Sequence, residues 1–343
     1  MTNGRYISTN LWRDNCLNSI RLLAALSVMY IHAVAHLDVD VPEFVTTIFS
    51  MFPGVPIFFF LSGFLVWNSI GKSNGIVAYA KKRFWRIYPQ LWTAVVLSIV
   101  IIIFQYNKPI EFAKLGIFAI TQGTIMQFWT PEFLREYGCG TPNGALWTIG
   151  ITIQFYIVAY FVYKLIHKKN IFIWIAWIVF SVFVTYLSNV ITGMFPSLIS
   201  KLYNQLVIRY LWIFLTGAMI AEKNEIMVPF LKKYWMFFVG VAMFFYMFPQ
   251  FDLNYNNYNI LFCIFQVVGL LGVAYRYPGV NIKFDISYGI YLYHMIVINV
   301  MIELGFSGKI QNLVIAMLLS IVLAYISEKT IGQFSIKKKV TDK

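Results

Sequence analysis

The chain is built from about ten apolar stretches, each near the roughly 20 residues that cross a hydrocarbon core. They fall at 17–37, 44–70, 87–106, 145–166, 171–188, 205–222, 231–249, 258–275, 284–303 and 309–331. In lipid every backbone N–H and C=O must be satisfied inside the segment, so stretches of this length are helices. The expected fold is all-α: a polytopic integral membrane helical bundle of about ten transmembrane helices. It forms one domain over 1–343, with cytoplasmic tails at 1–16 and 332–343. Composition agrees. Hydrophobic residues make up 59% and charged residues 12% of the chain, with a mean hydropathy of +0.70; soluble domains carry about 25% charged residues. A large soluble domain is excluded. The formal charge of +13 is first a topological signal, and no nucleic-acid partner is expected.

Charge orients the bundle. With the N-terminus inside, the inner segments hold Lys72, Lys81, Lys82, Arg83, Arg86, Lys168, Lys169, Lys223, Lys232, Lys233, Arg276, Lys283, Lys337, Lys338, Lys339 and Lys343. The outer loops hold only Lys108, Lys114, Arg135, Lys201 and Lys309, with most of the acids. Both termini are therefore expected in the cytoplasm of a multi-pass cell (inner) membrane protein. One segment resists. Phe112–Phe128 is apolar enough for an eleventh span, but counting it would put Lys168 and Lys232 outside. It reads as a re-entrant or interfacial part of a long outer connection. Ala33-Val-Ala35 imitates a signal-peptidase site, but cleavage there would discard the first helix, so no cleaved leader is expected.

Two ionisable residues, Arg21 and His32, interrupt the first stretch. Eleven positions make close to three helical turns, so both share one face about 16 Å apart. Facing lipid, such groups cost at least ~2.5 kcal/mol, which favours a bundle interior or wet cavity. The alternative is an arginine snorkelling to the interface and a histidine bonded to a neighbouring helix. Cys16, Cys139 and Cys263 form no disulfide framework, no metal-ligand spacing occurs, and no permanently bound cofactor is expected. P-loop, Rossmann and His-Glu-x-x-His motifs are absent.

Arg21-x10-His32 resembles the first-helix signature of the acyltransferase-3 family of membrane acyltransferases. Four further stretches resemble its motifs in the same order: Phe58–Phe64 (Phe-Phe-Phe-Leu-Ser-Gly-Phe), Lys82–Pro89 (Lys-Arg-Phe-Trp-Arg-Ile-Tyr-Pro), Asn143–Gly150 running on to Gln154–Tyr156, and Ser287–His294 (Ser-Tyr-Gly-Ile-Tyr-Leu-Tyr-His). The resemblance covers about 13–330. It implies transfer of an acyl group, commonly acetyl from acetyl-CoA, onto a hydroxyl of a carbohydrate acceptor. The chain resembles the stand-alone type associated with exopolysaccharide, capsule or O-antigen O-acetylation. The donor is acetyl-CoA or another acyl-CoA, and the acceptor a cell-surface polysaccharide or lipid-linked sugar.

On this reading His32 is the general base, since imidazole takes a hydroxyl proton near neutral pH. Arg21 is its catalytic companion, holding a phosphate or orienting a carbonyl. Arg83 and Arg86, three apart on a helix and joined by Lys82, suit the donor phosphates; positive-inside topology and anionic lipid alone would also explain the lysines. Asn143, Trp147, Gln154, Arg209 and His294 are candidate acceptor-binding residues. Outer-interface Trp and Arg are also common anchors, and His294, with Ser287 and Tyr291 near its face, suits an interhelical hydrogen bond. One position departs from the family pattern. Thr152 stands where a glutamate normally precedes the Gln-Phe-Tyr, so the acid that would balance an imidazolium is missing. Two alternatives stay open: a glycan or lipid transporter or flippase, and an acyltransferase-like binding protein with impaired catalysis.

Overall fold

The computed structural model describes residues 12–192, 194, 197–255 and 258–334. The terminal residues 1–11 and 335–343, with the tail lysines 337, 338, 339 and 343, lie outside the described residues. Among the described residues, thirteen α-helices follow in chain order: α1 Leu17–His36, α2 Glu43–Ser50, α3 Gly54–Gly71, α4 Gly75–Gln105, α5 Phe112–Gln122, α6 Trp147–Ile166, α7 Ile171–Thr192, α8 Ser197–Tyr203, α9 Leu211–Glu222, α10 Asn224–Met247, α11 Ile260–Arg276, α12 Ser287–Glu303 and α13 Ile310–Ser327. A π turn, Glu328–Gly332, prolongs α13. The β-structure among the described residues is one two-residue antiparallel pair, β1 Asn254–Tyr255 and β2 Tyr258–Asn259. The chain is an all-α membrane bundle.

Every expected span contains a helix, but their lengths differ. Among the described residues, seven stretches are long and apolar enough to cross a membrane. α9, α11 and α12, with 12, 17 and 17 residues, rise only about 18–26 Å. The stretch 44–70 is broken at Pro53, which lacks the N–H an unbroken helix needs and precedes the first turn of α3. α4 starts twelve positions before the expected 87 and runs through Pro89 for 31 residues. The cationic run 81–86 therefore lies inside the helix. α5, at 11 residues, rises about 16 Å, half of a bilayer core, so alone it does not cross. The last helix continues to Phe334, past the expected tail boundary at 332.

The chain falls into two compact units of interleaved segments, and α1 contributes to both. Of the described residues, the first unit holds those of 12–23, 53–72 and 155–285. Its core is the α3–α9 pair. A Cβ at Gly63 would overlap the Phe214 carbonyl, and one at Gly217 would overlap the Phe60 carbonyl. Two reciprocal glycines thus let the backbones touch, the small-residue route to helix packing in lipid. Phe155 stacks on Phe214 beside them. At the helix ends Glu222 accepts from Trp67 Nε1 at 2.8 Å, His167 Nδ1 at 3.0 Å and the Lys168 N–H at 2.6 Å.

The second unit holds 24–52, 73–154 and 286–334. α12 is its centre and is buried almost throughout. Gly289 lets it approach α13 at Ala324, and Tyr293 donates to Ser327 Oγ at 3.0 Å. α4 runs parallel to α12: Tyr288 OH donates to the Ile87 carbonyl at one end, and Gln105 Nε2 to the Val300 carbonyl at the other, both at 3.0 Å. The connection after α4 is folded. Leu115 and Phe118 of α5 pack with Ile102, Tyr106, Leu134 and Tyr137.

Candidate active site

His32 of α1 and His294 of α12 meet inside the second unit. His32 Nδ1 lies 2.9 Å from His294 Nε2, with the rings stacked at 5.2 Å. Proton positions follow from the neighbours. His294 Nδ1 is 3.0 Å from the Ile290 carbonyl, which can only accept, so Nδ1 carries the hydrogen. Neutral His294 therefore presents a bare Nε2, and His32 Nδ1–H donates to it. A neutral imidazole has one N–H, so His32 Nε2 is left with its lone pair. Among the described residues nothing hydrogen-bonds to that nitrogen. The second imidazole thus holds His32 in one tautomer, with a bare nitrogen able to accept a proton. His36, one turn after His32, has its ring 5.8 Å away.

α12 is positioned by the segment leading into α6. Asn299, fully buried, accepts from the Cys139 N–H at 2.8 Å and donates to the Thr141 and Pro142 carbonyls. Glu303 accepts from the Gly138 N–H at 2.7 Å. Gly138 has φ +55°, and a Cβ there would overlap Asn299, so glycine serves both backbone conformation and packing. Asn143 Nδ2 donates to the Leu292 carbonyl at 2.9 Å, and Tyr291 OH donates to the Ala145 carbonyl at 2.7 Å and contacts Thr148. The segment thus follows α12 on either side of His294. Asn143 is 3% exposed, and its Oδ1 finds no partner among the described residues. An acceptor so buried wants a donor from outside.

The other expected residues sort by unit. Lys82, Arg83, Arg86, Asn143, Trp147, Gln154, His32 and His294 belong to the second, Arg21 and Arg209 to the first. Lys82 Nζ donates to Ser73 Oγ at 3.1 Å, and the Arg83 guanidinium lies over the Tyr79 ring. Trp147 and Gln154 are half-buried on α6. Thr152 gives its hydroxyl to the Thr148 carbonyl one turn earlier, at 2.8 Å. Arg21 forms an ion pair with Asp285 at 2.6 Å. Arg209 is 1% exposed, too enclosed for a snorkelling anchor; its carbonyl accepts from Thr185 and Trp212. Sequence reasoning missed Asp285, Asn299, Gln90 and Glu328. Gln90 carried a local signal, a polar residue in an apolar stretch seven positions after Arg83.

A family model described as an acyltransferase domain matches residues 14–329. The chain is 27% identical over 357 residues to nodulation protein 10 of Rhizobium leguminosarum bv. viciae, covering 95% of this chain and 94% of that one. No solved structure matches. With the family match spanning nearly its whole length, the chain belongs to the acyltransferase-3 family of membrane acyltransferases.

Proposed function

We propose that this protein is an O-acyltransferase that moves an acyl group, acetyl in the first instance, from acyl-CoA to a hydroxyl of a cell-surface polysaccharide or lipid-linked glycan. The observation that carries the reading is the His32–His294 hydrogen bond, which leaves His32 Nε2 as the available base. Nε2 takes the acceptor hydroxyl proton as that oxygen attacks the thioester carbonyl. The C–S bond then breaks, and the proton passes from His32 to the departing thiolate. One O–H and one C–S bond are lost, one C–O and one S–H formed, and no net proton is consumed.

Arg83, Arg86 and Lys82 hold the donor phosphates, their fixed positive charge matched to phosphate oxygens. The orphaned Asn143 Oδ1 takes a sugar hydroxyl, Trp147 stacks on a sugar face, and Gln154 completes the acceptor side. Arg21, tied to Asp285, acts by positioning α1. The cationic end of α4 faces the cytoplasm in the cell membrane, and both termini lie on that side.

Membranes given radiolabelled acetyl-CoA and extracted envelope glycan test the reading. Label should enter the glycan with the natural chain and be lost in His32→Ala at equal protein level, base removal costing about 10²–10⁴-fold. Full transfer by His32→Ala overturns it. A binding protein without catalysis is the second reading, favoured by Thr152; it gives donor binding and no transfer by the natural chain.

A further inference from the structure

Gln90 lies on α4, one turn beyond Arg86 and two beyond Arg83, on the face the three share. It is 5% exposed. Its amide nitrogen donates to Glu328 Oε2 at 2.6 Å, which fixes the amide and turns Oε1 the other way. That oxygen finds no partner among the described residues. The arrangement is built rather than incidental. Glu328 opens the π turn that ends α13, a rare geometry that recurs at functional sites. A side chain at Gly332 would overlap both Glu328 and Gln90.

Height along the bundle gives the position meaning. α4 and α12 are parallel, joined where Gln105 reaches Val300 and, at the end nearer the cations, where Tyr288 reaches Ile87. From there His294 lies six residues on along α12, about 9 Å, and Gln90 three residues on along α4, about 4–5 Å. Arg86 and Arg83 lie on the other side of that level, by about 2 and 6 Å. Gln90 is therefore at an intermediate height between the cations and the histidine pair.

Resting on the acyl-CoA reading above, the geometry points to Gln90 as the residue that recognises the pantetheine arm of the donor, its Oε1 accepting an amide N–H of that arm. The chemistry favours this group over its neighbours in the same molecule. A bare carbonyl oxygen selects an N–H or O–H donor. Glu328 beside it repels phosphate, which keeps the nucleotide at the arginine level and admits only the neutral arm deeper. The arm links phosphate to thiol, so it must traverse the levels that separate Arg86 from His32.

Calorimetry on the purified full chain tests this with two probes: coenzyme A, and adenosine 3′-phosphate 5′-diphosphate, which keeps the nucleotide and lacks pantetheine. Gln90→Met removes the acceptor at similar volume. It should weaken coenzyme A roughly tenfold and leave the nucleotide unchanged, whereas Arg83→Ala should weaken both. Gln90→Asn, which withdraws the oxygen by one methylene, should also lose coenzyme A selectively and serves if the methionine variant fails to fold. Unchanged coenzyme A affinity in the Gln90 variants, with the natural chain and Arg83→Ala behaving as stated, overturns the assignment and leaves the donor reading standing. A natural chain that binds neither probe overturns both.

Discussion

Replacing His294 isolates what the second imidazole contributes. It is fully buried; its Nδ1–H is spent on the Ile290 carbonyl, and its Nε2 accepts from His32 Nδ1 at 2.9 Å. His294→Leu removes that acceptor in a similar volume. His32 then loses the bond that keeps its hydrogen on Nδ1, and part of the population carries the hydrogen on Nε2, where it blocks base action. A neutral hydrogen bond is worth about 0.5–1.5 kcal/mol net, and 1.4 kcal/mol is tenfold. The turnover rate should fall roughly two- to twelvefold, well short of the His32→Ala loss, with donor affinity unchanged. His294→Gln supplies an amide oxygen close to the lost Nε2 and should recover most of the rate. The assay is initial acyl transfer at saturating donor in membranes normalised for protein. Two results refute the reasoning: unchanged turnover in His294→Leu, and equal losses in the Leu and Gln variants.

Gly63→Ala forces a methyl against the backbone of Phe214, which no rotamer change relieves; about 1–3 kcal/mol of destabilisation is expected, read as a lower melting temperature in detergent, and an unchanged melt denies the close approach. Arg21→Ala and Asp285→Ala should each destabilise by about 1.5–3 kcal/mol, since the pair is 17% and 16% exposed; a double-mutant cycle with no coupling would remove the ion pair's role. Burial pushes the Cys139 thiol up from its usual range. In a variant lacking Cys16 and Cys263, an impermeant maleimide should label Cys139 on intact cells at a rate still rising steeply with pH beyond about 9.5, one unit above the free-thiol pKa, where a free thiol is nearly all thiolate. Labelling only after permeabilisation would invert the proposed orientation.

The helical spans were legible because lipid dictates them: an apolar stretch near bilayer length has no alternative to a helix. Where a helix leaves that regime, hydropathy misplaces its end. The cations at 81–86 hid the first three turns of α4, although Lys and Arg are good helix formers. His32 was legible as an ionisable group in an apolar run. Its partner was legible as a residue and not as a pair, because nothing local links position 32 to position 294. Asp285 escaped for the same reason: its role comes from Arg21, far away in sequence. Asn299 and Gln90 look like ordinary polar breaks in apolar stretches. Only the fold shows one gripping the segment that leads to α6 and the other holding an unanswered acceptor.

The missing acid at Thr152 takes on a different meaning beside this geometry. A carboxylate next to a histidine stabilises the imidazolium, which matters when the positive charge persists through a reaction. The proposed acylation of a hydroxyl by a thioester leaves no persistent charge, because the proton that His32 would take from the oxygen leaves with the sulfur. What the base then requires is a fixed tautomer and orientation, and both follow from a neutral acceptor at Nδ1. Thr152, occupied with the Thr148 carbonyl, contributes neither to that bond nor to charge balance. Introducing a glutamate there adds an anion at a half-buried position of an apolar helix, and its desolvation is costly unless it is paired. Thr152→Glu should therefore lower the amount of folded protein without raising the rate per molecule. Thr152→Val, which removes only the hydroxyl, should leave transfer intact. A Thr152→Glu variant that transfers acyl groups faster than the natural chain would show that the imidazolium does persist, and that His294 does not suffice for the base.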